Sequence, residues 1–356
     1  MEQKLTHGGD WAGYEAEYGA RPLDFSANIS PLGLPEGVQS AVVESLADAP
    51  SYPDPLCRSL RGAIARAEQV DLDWCLCGCG AADLIYRVVL AKRPRRALAT
   101  APTFAEYERA LNLVGCKTDR YLLKEETDFD LDGGFLNHIT PNTDIVFLCQ
   151  PNNPTGRTIP HTLLAAVLDR CHQAGALLVV DECFCGFLDD PGAFTMKKLL
   201  GKYENLLILK AFTKLYAMAG LRLGYCLCRD TALLDAMRNA GQPWPVSGPA
   251  QAAGIAALEE TQYVQAVRTL ISAQRPRLAG ALTRLGLRVI PGEANYLLFF
   301  SSIPLLGPLR GRGILLRDCG NYAGLCDGWY RVAVRGREDN DRLIAALEDI
   351  VKEGTP

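Results

Sequence analysis

The sequence predicts an α/β protein of two domains, a large one with a mostly parallel sheet covered by helices and a smaller α+β one. The large domain is indicated by short apolar runs without polar alternation, separated by segments of helical spacing. The length of 356 residues also exceeds what a single hydrophobic core usually holds. We therefore expect strands and helices to alternate through the middle of the chain.

The strands and helices of the large domain follow each other in the middle of the chain. Apolar runs that predict strands lie at residues 96–100, 144–149, 176–180, 206–209 and 224–228. Helical spacing is found at residues 81–91 and 162–174. Ligands bind beyond the carboxyl ends of strands in such sheets, so the polar residues directly after each run are the candidate site residues.

The C-terminal part of the chain has a different pattern. Strands are predicted at residues 287–289, 296–300, 314–317 and 329–334, and a closing helix at 339–353. Strands grouped in this way, before a helix, indicate a smaller α+β unit. We place the boundary near Tyr263, after a segment rich in proline and glycine. The predicted units are an N-terminal arm with part of the small domain (1–40), the large domain (41–262) and the C-terminal small domain (263–356).

Composition and charge exclude several classes of function. The net charge of -4 gives no basic field that would attract nucleic acid or an anionic membrane. No apolar run is long enough to span a bilayer and no secretory signal is found, so we expect a cytoplasmic protein. The thirteen cysteines are expected to be reduced and mostly buried. We predict no metal site, because Cys75, Cys77 and Cys79 lack paired spacing and a nearby histidine.

Lys214 is the strongest candidate for a catalytic residue. It follows an apolar run and lies among small and apolar residues in KAFTKLYAMAGLRLGY. Burial in such a place lowers the pKa of a lysine and makes its amine available for imine chemistry. Thr213 adds a hydroxyl group, and Arg222 follows eight residues later between two glycines. Lysine, hydroxyl and arginine together suit a phosphorylated aldehyde, although a lone lysine here would more often be a solvent-exposed loop residue.

Asp181 and Asn153 also follow apolar runs. A carboxylate at Asp181 that faces a pyridine nitrogen would keep that nitrogen protonated, whereas the alternative is a helix cap or a surface turn. Asn153, in QPNNPTG, can donate its amide to a phenolic oxygen, although these residue types also form plain turns.

The segment GCGAADLIYRVVLA predicts a helix that begins after two glycines. The free N–H groups of Gly80, Ala81 and Ala82 at its start can hold a phosphate, although a glycine-capped helix is the simpler alternative. Phe104, in APTFAEYE, follows the next apolar run and can stack on an aromatic ring, but alone it would more often be a core residue.

Taken together, these segments resemble the fold-type I pyridoxal-phosphate enzymes of the aspartate aminotransferase superfamily over residues 24–352. The most specific part is TKLYAMAGLRLGY, residues 213–225. The resemblance implies that pyridoxal 5'-phosphate is the cofactor, that Lys214 binds it as a Schiff base and that Asp181 pairs with its pyridine nitrogen. It further implies the following roles: Asn153 at the phenolic oxygen, Phe104 on the ring, and Gly80, Ala81, Ala82, Thr213 and Arg222 at the phosphate.

The resemblance also implies a homodimer and includes two departures from the family pattern. Tyr52, in YPDP, resembles the tyrosine that reaches the phosphate of the neighbouring subunit. Ala211 stands where many relatives have a phosphate-binding serine. Phe184 stands where many transaminases have a tyrosine that contacts the phenolic oxygen, so the electronics of the imine should differ.

Two subfamilies that act on phosphorylated substrates fit the sequence: threonine-phosphate decarboxylases and, as the alternative, histidinol-phosphate aminotransferases. HGGD at residue 7, DFSANISPLG at 24, LLRDCGNYAGL at 315 and YRVAVR at 330 resemble the decarboxylases. We expect a small phosphorylated amino acid as substrate. Arg317 and Arg331 can each grip a carboxylate or a phosphate, with His7 and Asn28 as further contacts. A surface ion pair is the alternative for either arginine.

Overall fold

The computed structural model describes residues 7–354, so residues 1–6 of the predicted arm and residues 355–356 lie outside it. The strands in chain order are β1 Leu23–Asp24, β2 Cys75–Gly78, β3 Arg96–Ala101, β4 Lys117–Leu122, β5 Ile145–Cys149, β6 Leu177–Asp181, β7 Leu206–Ala211, β8 Gly224–Cys228, β9 Arg288–Val289, β10 Tyr296–Phe300, β11 Ile314–Leu315, β12 Arg317–Asp318 and β13 Trp329–Ala333. The α-helices are α1 Trp11–Tyr18, α2 Glu36–Ser45, α3 Arg58–Glu68, α4 Gly80–Lys92, α5 Glu106–Leu113, α6 His161–Ala174, α7 Pro191–Phe194, α8 Phe212–Leu215, α9 Thr231–Asn239, α10 Gly248–Glu259, α11 Thr261–Arg284, α12 Leu306–Gly311 and α13 Arg337–Gly354.

The large sheet has seven strands in the order β2-β8-β7-β6-β5-β3-β4. Strand β8 runs antiparallel to both of its neighbours, and the other pairs in the sheet are parallel. The carboxyl ends of β2, β3, β5, β6 and β7 therefore meet at one edge of the sheet. The prediction of a mostly parallel sheet covered by helices is confirmed.

The two faces of this sheet pack into two separate hydrophobic clusters. In β6, Leu178 and Val180 join the cluster that includes residues of α6 and α10, whereas Leu177 and Val179 join the cluster that includes residues of α4, α5 and α9. Because successive side chains of a strand point to opposite faces, a strand covered on both sides needs apolar residues at every position. This burial explains the absence of polar alternation in the sequence.

The small unit contains an antiparallel sheet of order β12-β13-β10-β9 and the parallel pair β1-β11. The prediction of one strand over residues 314–317 is wrong. Residues 314–315 pair with Leu23 and Asp24, whereas Arg317 and Asp318 pair with β13. The chain thus passes from one sheet to another at Leu316, and a continuous run of apolar residues cannot reveal that change of partner.

The domain boundaries at residues 40/41 and 262/263 stay predictions. The second one falls just inside α11, a single helix of 24 residues. No helix within residues 7–354 combines the length and the apolar character needed to cross a membrane. The thirteen cysteines are free thiols, and most of them are buried.

Candidate active site

A cavity of about 390 Å³ lies at the carboxyl edge of the large sheet, where the segments after the strands meet the small unit. Most of the residues that the sequence singled out line it: His7, Asn28, Ala81, Ala82, Phe104, Asn153, Asp181, Thr213, Lys214, Arg222, Arg317 and Arg331. They come from the N-terminal arm, from the ends of five strands and from the small unit. The cavity thus collects nearly all of the predicted site residues in one place.

Lys214 lies on α8, three residues after the end of β7, and its side chain is half-buried. Burial lowers the pKa of Lys214 to about 8, and the positive charges of Arg331 and Arg222 act in the same direction. At pH 7 a lysine with such a pKa has roughly a tenth of its amine in the neutral form, which is the nucleophilic one.

Asp181 ends β6 and is fixed by two hydrogen bonds. The hydroxyl of Tyr107 donates to its Oδ2 at 2.7 Å, and the backbone N–H of Cys183 donates to Oδ1 at 3.0 Å. Tyr107 is itself fully buried, with its ring stacked on Phe147 at 4.9 Å between centroids. The carboxylate is therefore held in a defined orientation at the wall of the cavity.

A group of donors suited to phosphate lies beside Lys214. The first turn of α4 carries the N–H groups of Ala81 and Ala82, and the Thr213 hydroxyl and the Arg222 guanidinium line the same cavity. Arg222 has a φ of 58°, in the left-handed region, which costs a non-glycine residue of the order of 1 kcal/mol. Gly80 does not line the cavity itself. A Cβ there would lie 2.7 Å from Nη2 of Arg222, so glycine allows the guanidinium to pack against the helix start.

The two arginines of the small unit lie side by side and are buried. Arg317 in β12 and Arg331 in β13 are directly opposite each other in register. Arg331 donates to Oδ1 of Asn153 and, at 2.9 Å, to the backbone oxygen of Ser26. Arg317 donates to Oδ1 of Asn321 at 2.9 Å. Both arginines are buried, so neither has the surface position of the alternative.

The buried side chain of Asn28 has no hydrogen-bond partner among the described residues. It is 2% exposed, and neither its Oδ1 nor its Nδ2 has a hydrogen-bond partner within residues 7–354. Buried polar groups are rarely left without partners in a native protein, so an amide of this kind at a cavity wall indicates a ligand.

Tyr52 lies apart from the other candidate site residues. Its side chain is 80% exposed and stacks on Trp244 at 4.4 Å between ring centroids. It lines a separate open cavity of about 900 Å³, which Arg222 and Cys79 also line. The predicted contact of Tyr52 with a neighbouring subunit stays a prediction.

Several residues of the site were missed in the sequence. Glu106 and Cys183 line the cavity, and Tyr107 holds Asp181 from behind. The signal for two of them was present, since Glu106 and Tyr107 lie two and three residues after Phe104. The start of α5 carries them back to the same edge of the sheet. Within residues 7–354, no group of three or more His, Cys, Asp or Glu side chains is arranged to hold a metal ion.

Comparison with known proteins gives the family. Residues 24–347 match the aminotransferase class I and II family. The chain is 39% identical over 353 residues to threonine-phosphate decarboxylase from Salmonella typhimurium, covering 97% of this chain and 96% of the relative. It is 34% identical over 338 residues to histidinol-phosphate aminotransferase from Symbiobacterium thermophilum, covering 93% and 91% of the two chains. Its fold matches the histidinol-phosphate aminotransferase of Sinorhizobium meliloti, solved in complex with pyridoxal-5'-phosphate, with a TM-score of 0.88 at 23% identity, covering 99% of this chain and 97% of that one.

The cavity fits the cofactor of that family. Its donors at Ala81, Ala82, Thr213 and Arg222 suit a phosphate, and its lysine has a lowered pKa and suits an aldehyde. The carboxylate beside them suits a protonated pyridine nitrogen, and an aromatic side chain is present at the wall. The chain therefore belongs to the class I and II aminotransferase family, and its cofactor is pyridoxal phosphate.

Proposed function

We propose that this chain decarboxylates L-threonine O-3-phosphate to (R)-1-aminopropan-2-ol O-phosphate, the linker of the cobalamin nucleotide loop. The observation that carries the proposal is the buried pair Arg317 and Arg331, which are opposite each other in register and line one cavity. A substrate with both a carboxylate and a phosphate needs two cationic clamps. Histidinol phosphate, the substrate of the alternative reaction, has a phosphate but no carboxylate.

We propose a role for each of these residues toward the two anionic groups of the substrate. Arg331, with Asn28, holds the α-carboxylate, since the orphaned amide of Asn28 lies in the same cavity. Arg317 and His7 hold the phosphate. When bound, pyridoxal phosphate supplies a ring that accepts the electron pair of a bond broken at the α-carbon.

The chain's own residues then set which bond breaks. Two fixed anion clamps, Arg317 and Arg331, would hold the substrate in one orientation and so select the bond to its carboxylate as the one that breaks. Asp181, held by Tyr107, would pair with the pyridine nitrogen and keep it protonated, and Phe104 would stack on the ring. Asn153 would donate its amide to the phenolic oxygen while its Oδ1 accepts from Arg331. Lys214, in its ammonium form, would donate the proton that the α-carbon takes up in place of carbon dioxide, and would be left as the neutral amine.

The relatives support this assignment without deciding it. The decarboxylase from Salmonella typhimurium is the more similar of the two relatives, at 39% against 34% identity. The alternative is a histidinol-phosphate-type aminotransferase, whose 2-oxoglutarate co-substrate also has two anionic groups. We further propose a homodimer in which Tyr52 contacts the cofactor phosphate of the partner, since this tyrosine and Trp244 are exposed.

Product analysis tests the proposed reaction. The enzyme is incubated with O-phospho-L-threonine alone and, separately, with histidinol phosphate plus 2-oxoglutarate. Carbon dioxide and aminopropanol phosphate from the first mixture are the expected products. Glutamate from the second mixture, with no carbon dioxide from the first, would establish the aminotransferase instead.

A further inference from the structure

A carboxylate with three donors lies at the mouth of the cavity, where the proposed function needs no negative charge. Oε1 of Glu106 is 2.7 Å from Nε2 of His7 and 2.9 Å from Nη1 of Arg109, and Oε2 accepts from the hydroxyl of Tyr86 at 2.7 Å. The side chain of Glu106 is 10% exposed, whereas that of His7 is 46% exposed. Glu106 thereby joins the N-terminal arm to α4 and α5.

Burial alone would raise the pKa of Glu106, but the hydrogen bonds from Tyr86, His7 and Arg109 outweigh it and hold that pKa below its usual value. Glu106 is therefore a carboxylate at neutral pH. An unshielded carboxylate in this position would repel a phosphorylated substrate. The position of Glu106 is explained if it holds a cationic side chain that itself contacts the substrate.

The N-terminal arm that carries His7 packs closely against the site. The backbone N–H of Gly9 donates to the Ser26 hydroxyl at 2.7 Å, and a Cβ at Gly8 would lie 2.3 Å from the backbone oxygen of Ser26. That same oxygen accepts from Arg331. The His7 ring also contacts the ring of Phe104 at 5.7 Å between centroids. The arm thus follows the wall that holds the substrate clamps, and glycine is required for this close approach.

We propose that Glu106 is a positioning residue that confers preference for phosphorylated substrates by holding the His7 imidazole at the mouth of the cavity. This rests on the proposed function, in which His7 contacts the phosphate. With Nε2 bound to Glu106, the other ring nitrogen of His7 has no hydrogen-bond partner among residues 7–354 and is available to the ligand. Between the Glu106 carboxylate and a substrate phosphate, a ring with an N–H on each nitrogen donates to both anions.

The test compares ligand pairs that differ only in the phosphate, on the holoenzyme. Dissociation constants are read from the change in cofactor absorbance after rapid mixing, before turnover, for O-phospho-L-threonine against L-threonine. Histidinol phosphate against histidinol forms a second pair. The variants are Glu106→Gln, His7→Ala and the double variant. Glu108→Gln is the matched control, because Glu108 lies on the same helix and pairs with Arg120 at the surface.

Glu106→Gln is expected to weaken binding of the phosphate ester about tenfold, the low end for a charge-assisted hydrogen bond, and to leave the unphosphorylated ligand unchanged. In the His7→Ala background the same substitution should cause no further loss of affinity for the ester, and it should restore part of it, because it removes a carboxylate that His7 no longer covers. If Glu106 had a merely structural role, the substitution would weaken the binding of both ligands of a pair, or would weaken ester binding by the same factor with and without His7. Either result would overturn the proposal. If Glu106→Gln does not fold, the His7→Ala variant alone tests the proposal. An unchanged affinity of His7→Ala for the phosphate ester would refute the proposal.

The two ligand pairs separate this inference from the reaction assigned above. If the enzyme proves to be an aminotransferase, the histidinol phosphate pair shows the same tenfold selective loss, and the positioning role stands while the decarboxylase assignment fails. If carbon dioxide is released from O-phospho-L-threonine but Glu106→Gln changes neither pair, the reaction assignment stands and the positioning role fails.

Discussion

Replacing Lys214 by methionine should stabilise the cofactor-free protein. The substitution keeps an unbranched side chain of similar length and removes the charge. Burial lowers the pKa of Lys214 from its usual value of 10.5 to about 8, so the folded protein holds this ammonium group less favourably than the unfolded chain does.

The size of the effect follows from that difference. At about 1.4 kcal/mol per pKa unit, Lys214 lowers the stability of the cofactor-free protein at pH 7 by about 3 kcal/mol. Between pH 8 and pH 10.5 the unfolded chain binds a proton that the folded protein has released. Stability should therefore rise with pH in this window, and below pH 8 this contribution should be constant.

The assay is urea unfolding of the cofactor-free wild type and Lys214→Met at pH 7 and pH 9.5, with reductant present for the cysteines. The variant should be more stable at pH 7 by up to about 3 kcal/mol, and the gap should narrow at pH 9.5. Lys202→Met, at an exposed surface lysine, is the control. Equal stability of wild type and variant at pH 7, or a gap that does not depend on pH, would refute the account of Lys214.

Three further expectations concern the cofactor, the substrate and the assembly. Asp181→Asn should keep the cofactor bound, measured by visible absorbance, while kcat falls about 100-fold because the pyridine nitrogen loses its charged partner; near-normal turnover would leave Asp181 only a structural role. Arg317→Ala should weaken binding of O-phospho-L-threonine about 30-fold or more, but L-threonine less than about threefold, since it removes a charge-assisted clamp; equal losses for both ligands would show that Arg317 does not hold the phosphate. Sedimentation analysis should find a dimer, and an active monomer would contradict the role of Tyr52.

The fold was predictable because its strongest signals are local. The buried strand β5 is apolar at every position, and β6 is apolar up to the Asp181 that ends it. A sheet covered by helices on both faces follows from that pattern. The split of residues 314–317 between two sheets was not predictable, because the partners of each residue lie far away in the chain. Leu23 pairs with Ile314, which no local pattern indicates.

The sequence predicted the site residues that directly follow strands. It missed the residues that act through hydrogen bonds to other site residues. Lys214, Asp181 and Asn153 stand in specific motifs after apolar runs. Tyr107 and Glu106 have ordinary helical surroundings in the sequence, and their importance depends on hydrogen bonds to Asp181 and His7 across 74 and 99 residues. The interpretation of Tyr52 depends on a second subunit, because its side chain is exposed and lines a different cavity from Lys214.

The fate of the α-carbon tests the central proposal most directly. O-phospho-L-threonine is incubated with the holoenzyme in D₂O, and the products are followed by NMR. Decarboxylation with protonation at the α-carbon predicts aminopropanol phosphate with one deuteron on the carbon that bears the amine, together with equimolar carbon dioxide. Recovery of phosphothreonine that has exchanged its α-proton but kept its carboxylate, or formation of the corresponding keto acid, would contradict it.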